Sequence, residues 1–186
     1  FGHLAIDVGN VARQICDRAR LTDLVVASLS YPPGAEPIAR LRSGFRTLVR
    51  RCPRPILAVP GPAVAAQKAL LPYDGSPKSE EALYAATYLA LTWQLDLLVV
   101  TVLEEQQTSD ATLGHARAYL ERHGVAATYR LAQGQAGPAI LAAAEGHGSD
   151  MILIGGYGFN PLLEIVLGSS VDQVLRESRV PVLLCR

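Results

Sequence analysis

The 186-residue sequence lacks three features that would each point to a particular class of protein. It has no run of about 18 consecutive apolar residues, which a membrane-spanning helix needs, although 49% of its residues are hydrophobic. Its three cysteines, Cys16, Cys52 and Cys185, are odd in number and have no metal-ligand spacing. No secretion signal is recognisable, although the chain starts at Phe1. We therefore expect a cytoplasmic globular protein with thiols buried in its core.

Net charge is also absent, but its absence conceals two oppositely charged parts. Residues 1–60 hold nine arginines and four acidic residues, a net charge of +5. Residues 61–186 hold eight basic and thirteen acidic residues, a net charge of −5. Opposite charges suit two units that pack on each other better than they suit a nucleic-acid-binding protein. Two solvated surfaces that merely differ in charge would give the same count, and this alternative stays open.

Residues 68–186 alternate between strand-like and helix-like segments. Strands are predicted at 68–74, 95–103, 125–132, 150–155 and 180–186, with a helix between each consecutive pair. Ser76 followed by Pro77 is typical of a helix start, and Gly124 is typical of the position after a helix end. The alternation predicts an α/β fold, a doubly wound five-stranded parallel sheet with helices on both faces.

A second, partial copy of this pattern precedes it. Residues 43–59 resemble residues 169–185 at a constant offset of 126. The matched positions are Ser43 and Ser169, Arg50 and Arg176, Pro55 and Pro181, and Leu57 and Leu183. Asp23 matches Asp150 at an offset of 127. We therefore predict tandem copies: a partial, degenerate first domain at 1–60, a linker at 61–67 and a complete domain at 68–186.

The predicted first domain is incomplete at its beginning. Residues 2–7 (GHLAID) are predicted to be its third strand, and nothing in the sequence supplies the first two. Because the first strand of a doubly wound sheet normally lies in the middle, either a segment ahead of Phe1 supplies them or residues 2–7 have no sheet to join, and we favour the first alternative. Residues 4–10 have a second interpretation, since their Asp-x-Gly-Asn resembles the phosphate loop of actin-like sugar and pantothenate kinases.

The segment 155–170 combines glycines with serines and contains no lysine or arginine. Its pattern, Gly155-x2-Gly158-x9-Gly168-Ser169, lies between a predicted strand and a predicted helix. Glycine lets the backbone approach a ligand closely, and the free N–H groups of a helix start favour an anion. Because open α/β sheets bind ligands at the carboxyl ends of their strands, the pattern predicts a phosphate-binding loop. The simpler alternative is a turn followed by a helix cap at Ser169.

These motifs together resemble the ATP-binding branch of the universal stress protein family. The resemblance rests on the glycine loop, on LLPYDGS at 70–76 and on VPVLLC at 180–185. It covers 67–186 as a whole domain and 1–60 as part of one. It implies ATP or another adenine nucleotide, with Mg²⁺, as the ligand. The site residues that it implies are Pro72, Asp74, Val102, Ile154, Gly155, Gly158, Gly168, Ser169, Ser170 and Val171.

The resemblance also implies a role for each of these residues. Asp74 would contact the adenosine with Pro72 beside it, and the backbone at Val102 would meet the adenine. Ile154 and the first two glycines would line the ribose and phosphates. Residues 168–170 would hold the triphosphate, and Val171 would complete the loop. From the residues alone, Asp74 is as well explained by a turn that precedes Ser76.

The sequence departs from the family pattern in two places. Phe159 and Asn160 stand where many members have a basic residue, so backbone N–H groups, hydroxyls and Mg²⁺ would have to neutralise the phosphates. In the first copy, Ser28, Tyr31 and Arg42 replace the three glycines. Because their side chains would fill the space that a phosphate needs, we expect no ATP there.

Catalytic machinery is not evident in the sequence. The segment YDGSPKSE is not the SGG-x-D-S loop of adenylating PP-loop enzymes. The histidines considered as general bases, His115, His123 and His147, fall on or near predicted helices and are expected to be exposed. We therefore expect a nucleotide-binding stress-response regulator, with at most slow ATP hydrolysis or autophosphorylation.

The last predicted strand is apolar and is expected at a sheet edge, where an unpaired strand invites association. The equivalent segment 54–60 (RPILAVP) is a suitable partner, so we predict an intrachain pseudo-dimer that could itself dimerise. Arg42, Arg46 and Arg50 form a basic helix face, expected to be solvated or paired with the acidic half. The alternative function is a pairing module that binds no nucleotide.

Overall fold

The computed structural model describes residues 2–30, 32–36, 39, 43–62, 65–103, 108–157 and 169–185. Within these residues the helices are α1 (Val11–Ala19), α2 (Gly44–Arg51), α3 (Pro77–Trp93), α4 (Asp110–Arg122), α5 (Ala136–His147) and α6 (Ser170–Glu177). The strands are β1 (Val25–Ser28), β2 (Ile56–Val59), β3 (Lys68–Pro72), β4 (Asp96–Leu103), β5 (Ala127–Gln133), β6 (Met151–Gly155) and β7 (Val182–Cys185). Every strand and helix predicted between 68 and 186 is present, with ends that differ by a few residues.

The strands form one sheet in the order β1-β2-β7-β6-β3-β4-β5. All neighbouring strands run parallel except β2 and β7, which run antiparallel. The predicted α/β architecture with a largely parallel sheet is therefore confirmed. The sheet is wider than the five strands predicted for one copy, because β1 and β2 extend it beyond β7.

Helices cover both faces of this sheet. One core lies beneath α3 and α4, and the other lies beneath α1, α2, α5 and α6. Successive residues of β3 contribute to opposite cores, since Leu70 packs beneath α5 and Leu71 beneath α3. A strand covered on both faces is apolar throughout, and this explains the continuous apolar runs in the sequence.

Serine caps determine where two of the helices that border the site begin. The Ser76 hydroxyl accepts a hydrogen bond from the Ser79 N–H at 3.2 Å, and Pro77 follows as the first residue of α3. The Ser169 hydroxyl accepts from the Asp172 N–H at 3.1 Å at the start of α6. Each cap provides a partner for an N–H group that the helix cannot satisfy.

The prediction of a strand at residues 2–7 is wrong, because these residues are exposed and have no regular structure. In the second copy the matching strand, β5, pairs with β4. Among the described residues, no strand of the sheet lies beside residues 2–7. Asp7 instead bonds to Arg18 at 2.5 Å, and Asn10 caps α1 by accepting from the Arg13 N–H. Both polar residues of the Asp-x-Gly-Asn motif thus have structural partners.

Strands β2 and β7 lie side by side and form the seam between residues 1–60 and the rest of the sheet. Leu57 is opposite Leu183, and the flanking pairs are Ile56 with Leu184 and Ala58 with Val182. At the offset of 126, Leu183 is the counterpart of Leu57, so Leu57 faces its own counterpart. Val182 and Leu184 are the counterparts of Ile56 and Ala58, so each flanking pair joins one position to the counterpart of the other. The seam therefore has a local pseudo-two-fold axis at this pair.

The thiols are largely internal, as the sequence predicts. Cys52 and Cys185 are buried, Cys16 is partly buried, and no disulfide joins these three residues, all of which are described. Burial raises the pKa of the Cys185 thiol to about 12. None of the helices in the described ranges combines the length and the apolar character that crossing a bilayer requires.

Candidate functional site

A cleft of about 490 Å³ lies at the carboxyl ends of β3, β4 and β6. From β3 the chain proceeds to β4 on one side, and it reaches β6 on the other side only later. The helices after these strands leave toward opposite faces of the sheet, so the cleft opens at the topological switch point, where α/β sheets bind ligands. The first turns of α3, α5 and α6 contribute to its walls, and its volume is typical of a small-molecule site.

The cleft brings together the predicted site residues that the structure describes. Its lining includes Pro72, Asp74, Val102, Ile154, Gly155, Ser169, Ser170 and Val171. Gly158 and Gly168, like Tyr31 and Arg42 of the first copy, lie outside the described residues. These side chains come from four parts of the chain, so only the tertiary fold brings them together.

Asp74 lies in the turn between β3 and α3 rather than at the end of the strand, which finishes at Pro72. Its Oδ1 accepts a hydrogen bond from the Ser76 N–H at 2.9 Å. This is the turn that the sequence offered as the alternative role. A carboxylate has about four lone-pair sites, so an oxygen that supports a turn does not prevent contact with a ligand.

The residue before Asp74 anchors this turn. Tyr73 is buried, its hydroxyl donates to the carboxylate of Glu80 in α3, and its carbonyl accepts from the Thr101 hydroxyl at 2.8 Å. Burial, and then the hydrogen bond to Glu80, raise the pKa of Tyr73 well above its ordinary value. The backbone that carries Asp74 is consequently held by both α3 and β4.

Gly155 ends β6 against the first turn of α3. A Cβ atom built on Gly155 would lie 2.3 Å from the Lys78 carbonyl oxygen and 2.9 Å from the Lys78 Cβ. Real Cβ atoms do not approach other atoms this closely, so glycine is required here by the packing of α3. The sequence analysis attributed this glycine to a ligand, but the structure gives it a packing role first.

The end of β4 forms an apolar part of the cleft. Val100, Val102 and Ile154 are buried strand residues in the lining, and Ile140 of α5 joins them. The Thr108 hydroxyl donates to the Val102 carbonyl at 2.5 Å. A carbonyl oxygen has two lone pairs, so Val102 can still accept a second hydrogen bond. This wall can therefore accommodate a ligand with a flat apolar ring whose edge carries a hydrogen-bond donor.

The opposite wall is polar and contains the start of α6. Ser169 and Ser170 are half-buried, and the lining also includes Ser76 and Ser79 of α3. The N–H groups of the first turn of a helix carry a partial positive charge that favours an anion. The cleft therefore offers an apolar side and a hydroxyl-rich side to one ligand.

The sequence analysis missed Lys78, which carries the positive charge among the described lining residues. Its Nζ lies 2.9 and 3.0 Å from the two carboxylate oxygens of Glu81, and its side chain is 24% exposed. Lys78 lies outside the loop segment 155–170 and approaches the same space from α3. Its position two residues after the Ser76 cap was the available signal.

The three histidines lie away from the cleft lining. His115 and His123 are exposed, as predicted, and His115 lies 3.5 Å from Glu80. His147 departs from the prediction, since its side chain is only 12% exposed. It contacts Ser149 and Asp96 near the amino ends of the strands, whereas the cleft lies at their carboxyl ends.

The donor set of the cleft fits Mg²⁺ only as a partner of a phosphate. The described residues contain no group of three or more metal-ligating side chains. Asp74 and the serine hydroxyls are oxygen donors in the lining. Mg²⁺ is usually held by one or two carboxylates together with substrate phosphates, rather than by a complete protein cage.

Comparison with known proteins identifies the family. The model of the Universal stress protein family matches residues 104–186. A curated universal stress protein of Synechocystis sp. is 32% identical over 148 residues, which are 78% of this chain and 52% of the relative. The chain thus spans about half the length of that relative.

Solved structures show the same fold. A universal stress protein from Archaeoglobus fulgidus DSM 4304 superposes with a TM-score of 0.78 at 21% identity, covering 94% of this chain and 64% of its own. A universal stress protein solved in complex with cAMP superposes with a TM-score of 0.56 at 21% identity, covering 66% of this chain and 99% of its own. The sequence matches and the shared fold together place the chain in the universal stress protein family.

Proposed function

We propose that the chain is an adenine-nucleotide-binding regulatory protein, and that ATP with Mg²⁺ is its ligand. The observation that carries this proposal is the cleft at the switch point of the sheet, where eight of the predicted site residues meet. Binding in the cytoplasm during stress would change the stability of the protein or its choice of partner. The cAMP complex of a family member supports a nucleotide as the class of ligand.

The two walls of the cleft suit the two parts of such a ligand. Adenine would lie on the apolar wall, where the Val102 carbonyl can accept from its amino group, and the Asp74 carboxylate would accept from ribose hydroxyls. The phosphates would lie against Ser169, Ser170 and the start of α6. Each charge-assisted hydrogen bond contributes about 1.5–3 kcal/mol. Several of them, with a buried adenine, suffice for a micromolar complex, which needs about 8 kcal/mol.

Lys78 would supply the positive charge that the glycine loop lacks. Its side chain is half-buried, with its Cβ beside Gly155 and its Nζ paired with Glu81, so a phosphate would share the ammonium group with that carboxylate or displace it. Asp74 and Lys78 leave the described lining without a net positive charge, so Mg²⁺ would neutralise part of the phosphate charge. Binding rather than catalysis is proposed, because none of the three histidines considered as general bases lies in the cleft.

A second candidate function is a pairing module in which the cleft carries no ligand. The observation that favours it is the seam between β2 and β7, where apolar residues of the two copies face each other. The seam supports the intrachain pseudo-dimer predicted from the tandem pattern. Under this candidate, association through the sheet is the whole function, and the glycine loop only connects β6 to α6.

The experiment that separates these candidates measures bound and added nucleotide. Freshly purified protein is denatured, and the supernatant is analysed by anion exchange with mass detection. Mg-ATP, Mg-ADP and adenosine are then titrated into nucleotide-free protein by calorimetry. We expect a released adenine nucleotide, or heat from Mg-ATP that saturates at one per chain. Absence of both would leave the pairing module as the function.

The variants Lys78→Met and Lys68→Met test the proposed cation. Loss of the Lys78 charge should weaken Mg-ATP binding by about tenfold or more and leave adenosine binding unchanged, because adenosine has no phosphate. Lys68 is the matched control, since it is exposed and pairs with Asp96 at 3.5 Å at the amino ends of the strands. Equal losses for ATP and adenosine would contradict a phosphate contact while leaving the nucleotide site intact.

A further inference from the structure

Arg46 and Asp172 occupy the same position in the two copies. They are related by the offset of 126 that also relates Leu57 to Leu183. Each lies three residues after a serine that caps its helix, and each backbone N–H donates to that serine hydroxyl, at 3.2 and 3.1 Å. The two side chains are therefore counterparts in local structure as well as in sequence.

These counterparts contact each other across the seam. Arg46 Nη1 lies 3.3 Å from Asp172 Oδ2, and the two side chains are only 5% and 2% exposed. In the pseudo-two-fold arrangement of β2 and β7, a position close to the axis meets its own counterpart. The part of the basic helix face at Arg46 is thus buried and paired with the acidic half, not solvated.

A neighbouring tyrosine is present in only one of the two copies. The Tyr157 hydroxyl donates to Asp172 Oδ1 at 2.5 Å, and the Arg46 guanidinium lies 4.7 Å from the centre of its ring. The offset of 127 gives Ser30 as the counterpart of Tyr157 in the first copy. The environment is consequently built for an acid on the second copy and a cation on the first.

We propose that Arg46 and Asp172 select the partner of each copy, so that the first copy pairs with a second copy and neither pairs with its own kind. If two first copies met through this seam, two arginines would be buried together, and two second copies would bury two aspartates. Either arrangement leaves like charges without compensation, which is strongly unfavourable in a buried site. Discrimination through repulsion of the wrong pair is a common basis of specificity.

The test is a charge exchange in the full chain. The variants are Arg46→Asp, Asp172→Arg and the double variant that carries both changes. We expect each single change to lower the equilibrium constant for folding at least about a hundredfold, because it leaves like charges buried. The double variant brings opposite charges together again, so its equilibrium constant for folding should be at least about tenfold higher than that of either single variant. The control is the same exchange at Arg13 and Asp17, whose side chains are 81% and 57% exposed, and it should have little effect.

A mixing experiment tests partner choice itself. The two single variants cannot pair correctly within one chain, but each offers the charge that the other needs. Refolded together, they should form a dimer of twice the 19.9 kDa chain mass, measured by light scattering, which neither forms alone. The proposal is overturned if the double variant is no more stable than the single variants. It is also overturned if the mixture behaves as the sum of its components.

Discussion

The hydrogen atom that serves as the side chain of Gly155 allows β6 to end directly against α3. The next residue, Gly156, is less constrained, since a Cβ built there would lie 3.4 Å from the Cys185 carbonyl oxygen, an ordinary contact. The two glycines are adjacent in sequence, although only Gly155 is a fixed position of the loop motif, and the space around them differs. Their identical appearance in the sequence therefore conceals different physical requirements.

The first prediction compares alanine at these two positions. Gly155→Ala should lower the free energy of unfolding by about 1–3 kcal/mol, because its Cβ would collide with backbone rather than with a flexible side chain. Gly156→Ala should change it by less than about 1 kcal/mol. Urea unfolding of both variants measures the difference. Equal stabilities would show that Gly155 is not required by packing and would return it to a ligand role.

At the scale of elements, a single carboxylate joins the start of β3 to the start of β6. Both oxygens of Asp150 lie 2.9–3.2 Å from the backbone nitrogens of Gln67 and Lys68. Asp150 thereby holds the end of the linker against the sheet. Asp23 occupies the matching place ahead of β1 and is exposed, and among the described residues no strand precedes β1 for it to hold.

The second prediction uses these two aspartates as a matched pair. Asp150→Ala should lower the free energy of unfolding by about 1 kcal/mol, since two exposed backbone N–H groups exchange a charged acceptor for water. Asp23→Ala should change it by less than about 0.5 kcal/mol, as is usual for an exposed residue. Chemical denaturation with both variants provides the comparison. A large effect at Asp23 would indicate a partner for β1 that the described residues do not include.

At the scale of the whole molecule, the two faces of the sheet are covered to different extents. Near β1 the face that carries α3 and α4 is open, and Val26 of β1 is 64% exposed. On the opposite face α1 and α2 pack over the same strands. The seam between β2 and β7 thus joins a five-strand unit with helices on both faces to a two-strand unit with helices on one face, and Cys185 lies in the buried strand β7.

The third prediction concerns stability at alkaline pH. The ordinary pKa of a thiol is 9.0, and burial raises that of Cys185 to about 12 in the folded protein. The folded state therefore keeps a proton that the unfolded state releases. The stability linked to this group is complete below pH 9 and is lost as pH rises through about 12. The expected loss is about 1.4 kcal/mol per pH unit in this window.

A Cys185→Ala variant checks this assignment. The substitution lowers stability at every pH by removing packed atoms, but its free energy of unfolding should fall less steeply between pH 9 and 12. Denaturant unfolding under reducing conditions gives both slopes. Parallel pH profiles for the two proteins would attribute the alkaline loss to other groups, such as Tyr73, whose pKa is also raised.

The local structure of residues 68–186 was determined by the sequence itself. Strand and helix periods, the Ser76 cap with Pro77, and the turn at Gly124 depend on neighbours a few residues away, so they can be inferred from short segments. The candidate site residues as a set came from the resemblance to the family, and the glycine loop and Asp74 also followed from their positions, because parallel strands bring their carboxyl ends to one edge. Residues 2–7 show the limit, since a strand-like segment forms a strand only beside another strand, and none of the described strands lies next to them.

Only the tertiary structure decided which distant groups meet. It placed Lys78 in the cleft, gave Gly155 a packing role and buried Arg46 against Asp172, at a sequence separation of 126. A basic helix face looks the same in sequence whether it faces water or an acid. Whether this face is exposed or buried against an acid depends on the antiparallel register of β2 and β7. This register is a property of two strands in contact, so it cannot be inferred from either strand alone.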